Sequence, residues 1–171
     1  RMDLAAMADA ISENTSMIFV CNPNNPTGTT ITCAEFTEFM SRVPADVLVA
    51  LDEAYFEYNR AHDTPVATEE IAKYPNVVGL RTFSKAYGLA GARVGYAFGP
   101  APIIEALNKV AVPFSVSTPA QAGAVASLSL DDELSDRIDE TCTERTRLVE
   151  FFAEYGTPAT VSYTHLTLPT N

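Results

Sequence analysis

Apolar and polar positions along this chain follow two different periods, and the switches between them set out the elements. Three short unbroken apolar runs, Met17-Ile18-Phe19-Val20, Val47-Leu48-Val49-Ala50 and Val77-Val78-Gly79-Leu80, read as strands buried on both faces. They predict strands over 17–21, 47–52 and 77–82, with a fourth over 93–98. Apolar residues spaced three and four apart predict helices over 4–12, 34–42, 68–74, 102–110, 118–130 and 131–155. Thr32 or Cys33 stands near the start of the second helix, and Pro102 falls in the first turn of its own. Thr118 is the expected N-cap of helix 118–130, with Pro119 at its first helical position. Acids opening the last helix suit its dipole. Strands alternating with helices indicate an α/β fold, a mainly parallel sheet with helices on both faces. The link from Lys85 to Arg93 is too short for a full crossover helix, so strand 93–98 is expected to run antiparallel.

Each of the three apolar runs leads into polar residues of a particular kind. The first continues into Cys21-Asn22-Pro23-Asn24-Asn25-Pro26-Thr27-Gly28, a sharp turn by composition. The second ends in Leu51-Asp52-Glu53-Ala54-Tyr55. The third leads into Thr82-Phe83-Ser84-Lys85-Ala86-Tyr87-Gly88-Leu89-Ala90-Gly91-Ala92-Arg93. Taken singly, each has an ordinary reading: a turn, a pair of capping acids with a core tyrosine, a solvated lysine. Taken together they put an amide, a carboxylate, a phenol, an amine, two hydroxyls and a guanidinium at the C-terminal edge of one sheet. That edge is where ligands bind in open α/β sheets. An amine beside hydroxyls and a guanidinium matches a cofactor that carries both an aldehyde and a phosphate.

These motifs resemble those of the pyridoxal-phosphate-dependent aminotransferases of fold type I. Within them they resemble the histidinol-phosphate aminotransferase group and its aromatic amino-acid aminotransferase relatives, over about residues 1–155. The resemblance implies a role for each matching residue. Lys85 is the imine-forming lysine and later the general base. Asp52 is the carboxylate that keeps the pyridine nitrogen protonated, so that the ring accepts electrons. Tyr55 and Asn25 are the partners of the ring's phenolic oxygen, and Thr82, Ser84 and Arg93 are phosphate ligands. Glu53 is expected to point away from Asp52, since neighbours on a strand alternate faces.

The resemblance also sets expectations for the whole. The family's chains are roughly twice as long, so residues 1–155 are expected to be part of the large pyridoxal 5'-phosphate-binding domain. Residues 156–171 are then either the start of a missing small domain or a non-native tail, since from Tyr155 onward the charged residues Asp, Glu, Lys and Arg are absent. The expected function is transamination of histidinol phosphate with 2-oxoglutarate, in histidine biosynthesis. The alternatives are an aromatic amino-acid donor or, in a different class, a non-catalytic fragment lacking part of its active site. The segment Lys109-Val110-Ala111-Val112-Pro113-Phe114-Ser115-Val116-Ser117 shares in the likeness to both substrate groups. A homodimer is implied for the intact protein.

Composition adds exclusions. With 22 acidic against 11 basic residues and a net charge of −11, the chain is poorly suited to nucleic acid or anionic membranes. The acid-rich stretch 131–140 reads as a solvated helix face. Cys21, Cys33 and Cys142 lack metal-site spacing and fit a reducing cytoplasm, and His62 and His165 form no ligand pattern, so no metal is expected. No run has the length and apolarity of a signal peptide or a membrane helix.

Overall fold

The computed structural model describes residues 1–156 and, beyond them, only the antiparallel backbone pairing of Thr160–Val161 with Leu166–Thr167. The separate reading of 156–171 as domain start or tail therefore falls almost wholly outside the described residues. Up to residue 156 the order is α1 (Leu4–Asp9), β1 (Met17–Cys21), α2 (Cys33–Arg42), β2 (Leu48–Asp52), α3 (Ala67–Lys73), β3 (Val77–Thr82), β4 (Gly95–Phe98), α4 (Ala101–Val110), α5 (Thr118–Ser127) and α6 (Asp131–Glu154). One sheet holds β1 to β4 in that spatial order, with β1, β2 and β3 parallel and β4 antiparallel to β3. This is the expected mixed sheet flanked by helices on both sides.

The helices arise from local signals that the core then uses. Thr32 caps α2 through a capping box: its hydroxyl accepts from Glu35 N at 3.2 Å, and Glu35 Oε2 accepts from Thr32 N at 2.8 Å. Phe36, Phe39 and Met40, spaced three and four apart, face inward from this helix. They pack with Val20, Val49, Leu51 and Val77 from one face of the sheet, with Leu4 and Ala8 of α1, and with Ala67 of α3. Each large side chain buried in this way contributes about 1.5–3 kcal/mol by area. A second cluster joins Phe83 and Val94 to Ala120 and Ala124 of α5, so α5 backs the connection between β3 and β4. The opposite face of the sheet is open at β1, where Met17 and Phe19 are 44% and 58% exposed.

Several boundaries depart from expectation, most by one residue, and α1 closes at Asp9 rather than 12. Ser117, not Thr118, caps α5: its hydroxyl accepts from Ala120 N at 3.3 Å, which moves Pro119 to the second helical position. The helix closes at Ser127 rather than 130, because tight backbone turns from Ser129 N to Ala126 O and from Leu130 N to Ser127 O replace the helical ladder. The fourth strand begins at Gly95 rather than 93, because Arg93 is left-handed, with φ 55° and ψ 48°.

Candidate active site

The parallel ladder brings the ends of three strands level. Cys21 is in register with Asp52, and Asp52 with Leu80, so the segments after β1, β2 and β3 leave the sheet along one edge. The first is held by Asn22, which is buried. Its Nδ2 donates to Thr64 Oγ1 at 2.8 Å, its Oδ1 accepts from Ile31 N at 3.1 Å, and its backbone N donates to Asp52 O at 2.9 Å. Both Asn-Pro bonds in this turn, Asn22-Pro23 and Asn25-Pro26, are cis. Asn24 closes the loop, donating from Nδ2 to Thr27 Oγ1 at 2.7 Å and accepting at its carbonyl from Gly28 N at 2.7 Å. Gly28 takes φ 66°, a left-handed value that suits glycine. Asn25 is thereby presented toward the end of β2, where its Nδ2 donates to Tyr55 Oη at 3.1 Å.

Past β2, Asp52 and Glu53 separate as strand alternation requires. Asp52 is half-buried, and its Oδ1 accepts from Ala54 N at 3.0 Å. Glu53 is only 1% exposed: its Oε1 accepts from Ala67 N at 2.6 Å, and its Oε2 accepts from Arg81 Nε at 2.8 Å. Burial pushes the Glu53 carboxyl above its ordinary value, against the pull of the Ala67 N–H and Arg81. Tyr55 is buried, and the Lys85 amine lies 5.1 Å from its ring centroid.

Past β3, Thr82 Oγ1 accepts from Ser84 N at 3.1 Å. Lys85 O accepts from Gly88 N, and Phe83 O accepts from Leu89 N, each at 2.9 Å, which folds the lysine loop back on itself. Buried Phe83 anchors that loop against α5. Arg93 is exposed, and its Nη1 donates to Ala90 O at 2.9 Å within its own turn. On the same edge, burial and the nearby Asp52 charge push the Cys21 thiol upward, opposed by the Asn25 backbone, so it is a poor nucleophile at neutral pH.

Among the residues expected to form the site, direct contacts unite Asn25, Tyr55 and Lys85. Register sets Asp52 level with Cys21 and Leu80 on the same strand edge, a turn joins Thr82 to Ser84, and among the described residues Arg93 hydrogen-bonds within its own turn. Sequence reasoning had turned Glu53 away from the site but had assigned it no partner, and it missed Arg81 and the buried Asn22. An arginine two residues beyond inward-facing Gly79 on a strand was the available signal, because a charge there requires a carboxylate. Among the described residues, no group of three or more His, Cys, Asp or Glu is placed to hold a metal, and no helix is long and apolar enough to cross a membrane.

Comparison with known proteins extends this picture. An aromatic amino acid aminotransferase of Corynebacterium glutamicum strain R is 64% identical over 158 residues, 92% of this chain and 46% of that protein. Its namesake in Corynebacterium efficiens is 64% identical over 148 residues, 86% of this chain and 43% of that one. Among solved structures, the histidinol-phosphate aminotransferase of Sinorhizobium meliloti in complex with pyridoxal-5'-phosphate superposes with a TM-score of 0.84 at 33% identity, over 94% of this chain and 44% of that one. The chain spans about half the length of the curated relatives it matches. The family described as aminotransferase class I and II matches residues 1–169, and the chain belongs to that family.

Proposed function

We propose that residues 1–155 are the cofactor-binding part of the large domain of a pyridoxal-phosphate-dependent aminotransferase, and that the intact protein acts as a homodimer. The observation that carries this reading is the convergence of Asn25, Tyr55 and Lys85 beside Asp52 on one strand edge. The residues fit the cofactor chemically: an amine for the aldehyde, a carboxylate for the ring nitrogen, a phenol paired with an amide, and hydroxyls for the phosphate. When bound, pyridoxal phosphate supplies the aldehyde and an electron-withdrawing ring. Lys85 would provide the amine that holds it and, as a free amine, would take the proton from the substrate Cα. Asp52 holds a proton on the ring nitrogen through its charge, and Tyr55, oriented by Asn25, donates to the ring oxygen. Thr82, Ser84 and Arg93 bind the phosphate, Arg93 through a planar fork that lysine lacks.

The amino donor we propose is an aromatic amino acid, with a 2-oxo acid as acceptor. The histidinol-phosphate expectation gives way because relatives at 64% identity are named aromatic amino acid aminotransferases, whereas the histidinol-phosphate likeness stands at 33%. Borohydride reduction of the cofactor-loaded full-length protein, followed by peptide mapping, tests the site. The cofactor mass is expected on the peptide that contains Lys85, and its appearance on Lys73 or Lys109 instead would overturn the assignment.

A further inference from the structure

On the face of the sheet turned away from Asp52, a buried ion pair spans the ends of two strands. Glu53 and Arg81 meet at 2.8 Å, with side-chain exposures of 1% and 15%. The other Glu53 oxygen accepts from Ala67 N, the first residue of α3, at 2.6 Å. The Arg81 guanidinium lies 3.9 Å from the Phe56 ring centroid and 5.3 Å from that of Phe98. Members of this cluster are sequence neighbours of candidate site residues: Glu53 follows Asp52, Phe56 follows Tyr55, and Arg81 precedes Thr82.

We propose that Glu53 and Arg81 act as a positioning clamp, which fixes from behind the sheet where Asp52, Tyr55 and Thr82 stand in the site. The inference rests on the cofactor-site reading above. The last registered pair between β2 and β3 is Asp52 with Leu80. Beyond it, the two chains are tied by Glu53 N donating to Leu80 O at 2.9 Å and by the carboxylate–guanidinium pair. Without the pair, the strand ends splay just where Asp52 and Thr82 are carried.

Net stability is a poor reason for the pair. Two desolvated charges are commonly no better than an apolar pair of the same volume, and Arg81 Nη2 is buried with no hydrogen-bond partner among the described residues. What the pair supplies that an apolar contact lacks is fixed direction and distance. A site needs its groups held within about 0.5 Å, and supporting hydrogen bonds are what hold them.

The test uses the full-length protein with pyridoxal phosphate as probe and compares wild type, Lys85→Ala, Glu53→Gln and the double variant Glu53→Leu/Arg81→Met. Three quantities are measured: thermal midpoint, dissociation constant for pyridoxal phosphate, and the pH midpoint of the bound-cofactor absorbance change. The double variant, which also leaves the buried Ala67 N–H without its acceptor, is expected to fold and melt a few degrees below wild type, yet to bind pyridoxal phosphate about tenfold more weakly or worse and to show a displaced pH midpoint. A folded double variant with wild-type affinity and pH midpoint overturns the clamp. If the double variant does not fold, Glu53→Gln decides, because it keeps the side chain's size and an acceptor for Ala67 N. An unshifted midpoint there overturns the proposal as well. A wild type that gains no absorbance band beyond that of Lys85→Ala sinks the site reading itself, an outcome distinct from failure of the clamp alone.

Discussion

Arg93 combines an unfavourable backbone with a useful side chain. A non-glycine residue at φ 55° and ψ 48° costs about 1–2 kcal/mol relative to the right-handed region. Such strain persists where the surroundings impose it, and it clusters at ligand sites. A glycine here would relax the backbone and remove the guanidinium in one step. Arg93→Gly in the full-length protein is therefore expected to leave the thermal midpoint level or higher. At the same time it should weaken pyridoxal phosphate binding about tenfold, the loss of one charged hydrogen bond partly screened by solvent. An unchanged dissociation constant would make Arg93 a turn residue and nothing more. At this scale the sequence was informative through the order of its motifs, which come together where Asn25 Nδ2 donates to Tyr55 Oη and the Lys85 amine lies by the Tyr55 ring. It was mute on pairings. Glu53 and Arg81 lie 28 positions apart, and only the parallel register of β2 and β3 makes them neighbours.

The antiparallel register of β3 with β4 makes β3 intolerant of added volume. Gly79 stands opposite Phe98 of β4 and above α3. A β-carbon there would overlap the Phe98 ring and come within 2.7 Å of Ala67 Cβ. Phe98 also flanks the Arg81 guanidinium, so displacing its ring disturbs the Glu53–Arg81 pair. Gly79→Ala is expected to destabilise the protein by about 1–3 kcal/mol, the usual cost of overpacking. Urea unfolding of the full-length protein measures it, and a midpoint equal to wild type would show that α3 and β4 yield freely. At element scale the sequence was most legible where hydrophobic runs are unbroken: β1 and β3 span the residues that the apolar pattern predicted. It failed at ends set by single hydrogen bonds. Ser117 wins the α5 cap from Thr118 because its hydroxyl reaches Ala120 N, a choice between adjacent hydroxyl residues that periodicity does not make.

At the scale of the whole molecule, the proposed function predicts which amine enters the site. The described residues supply groups that suit the cofactor, and the chain spans about half the length of its curated relatives. The two candidate donors differ in a way that a protein registers strongly. A site built around a substrate phosphate leaves buried cations unpaired when the phosphate is missing, and such sites reject the lacking analogue by about 10⁴-fold or more. A site built for an aromatic ring offers an incoming phosphate dianion no partner and makes it lose its hydration. The expected result for the full-length enzyme, with 2-oxoglutarate as common acceptor, is a higher kcat/KM for phenylalanine than for histidinol phosphate. The reverse order would restore histidinol phosphate as the donor while leaving the roles of Lys85 and Asp52 intact. Turnover of neither donor, with the cofactor bound at Lys85, would keep the cofactor site and remove transamination of these donors. The donor comparison thus separates substrate from chemistry.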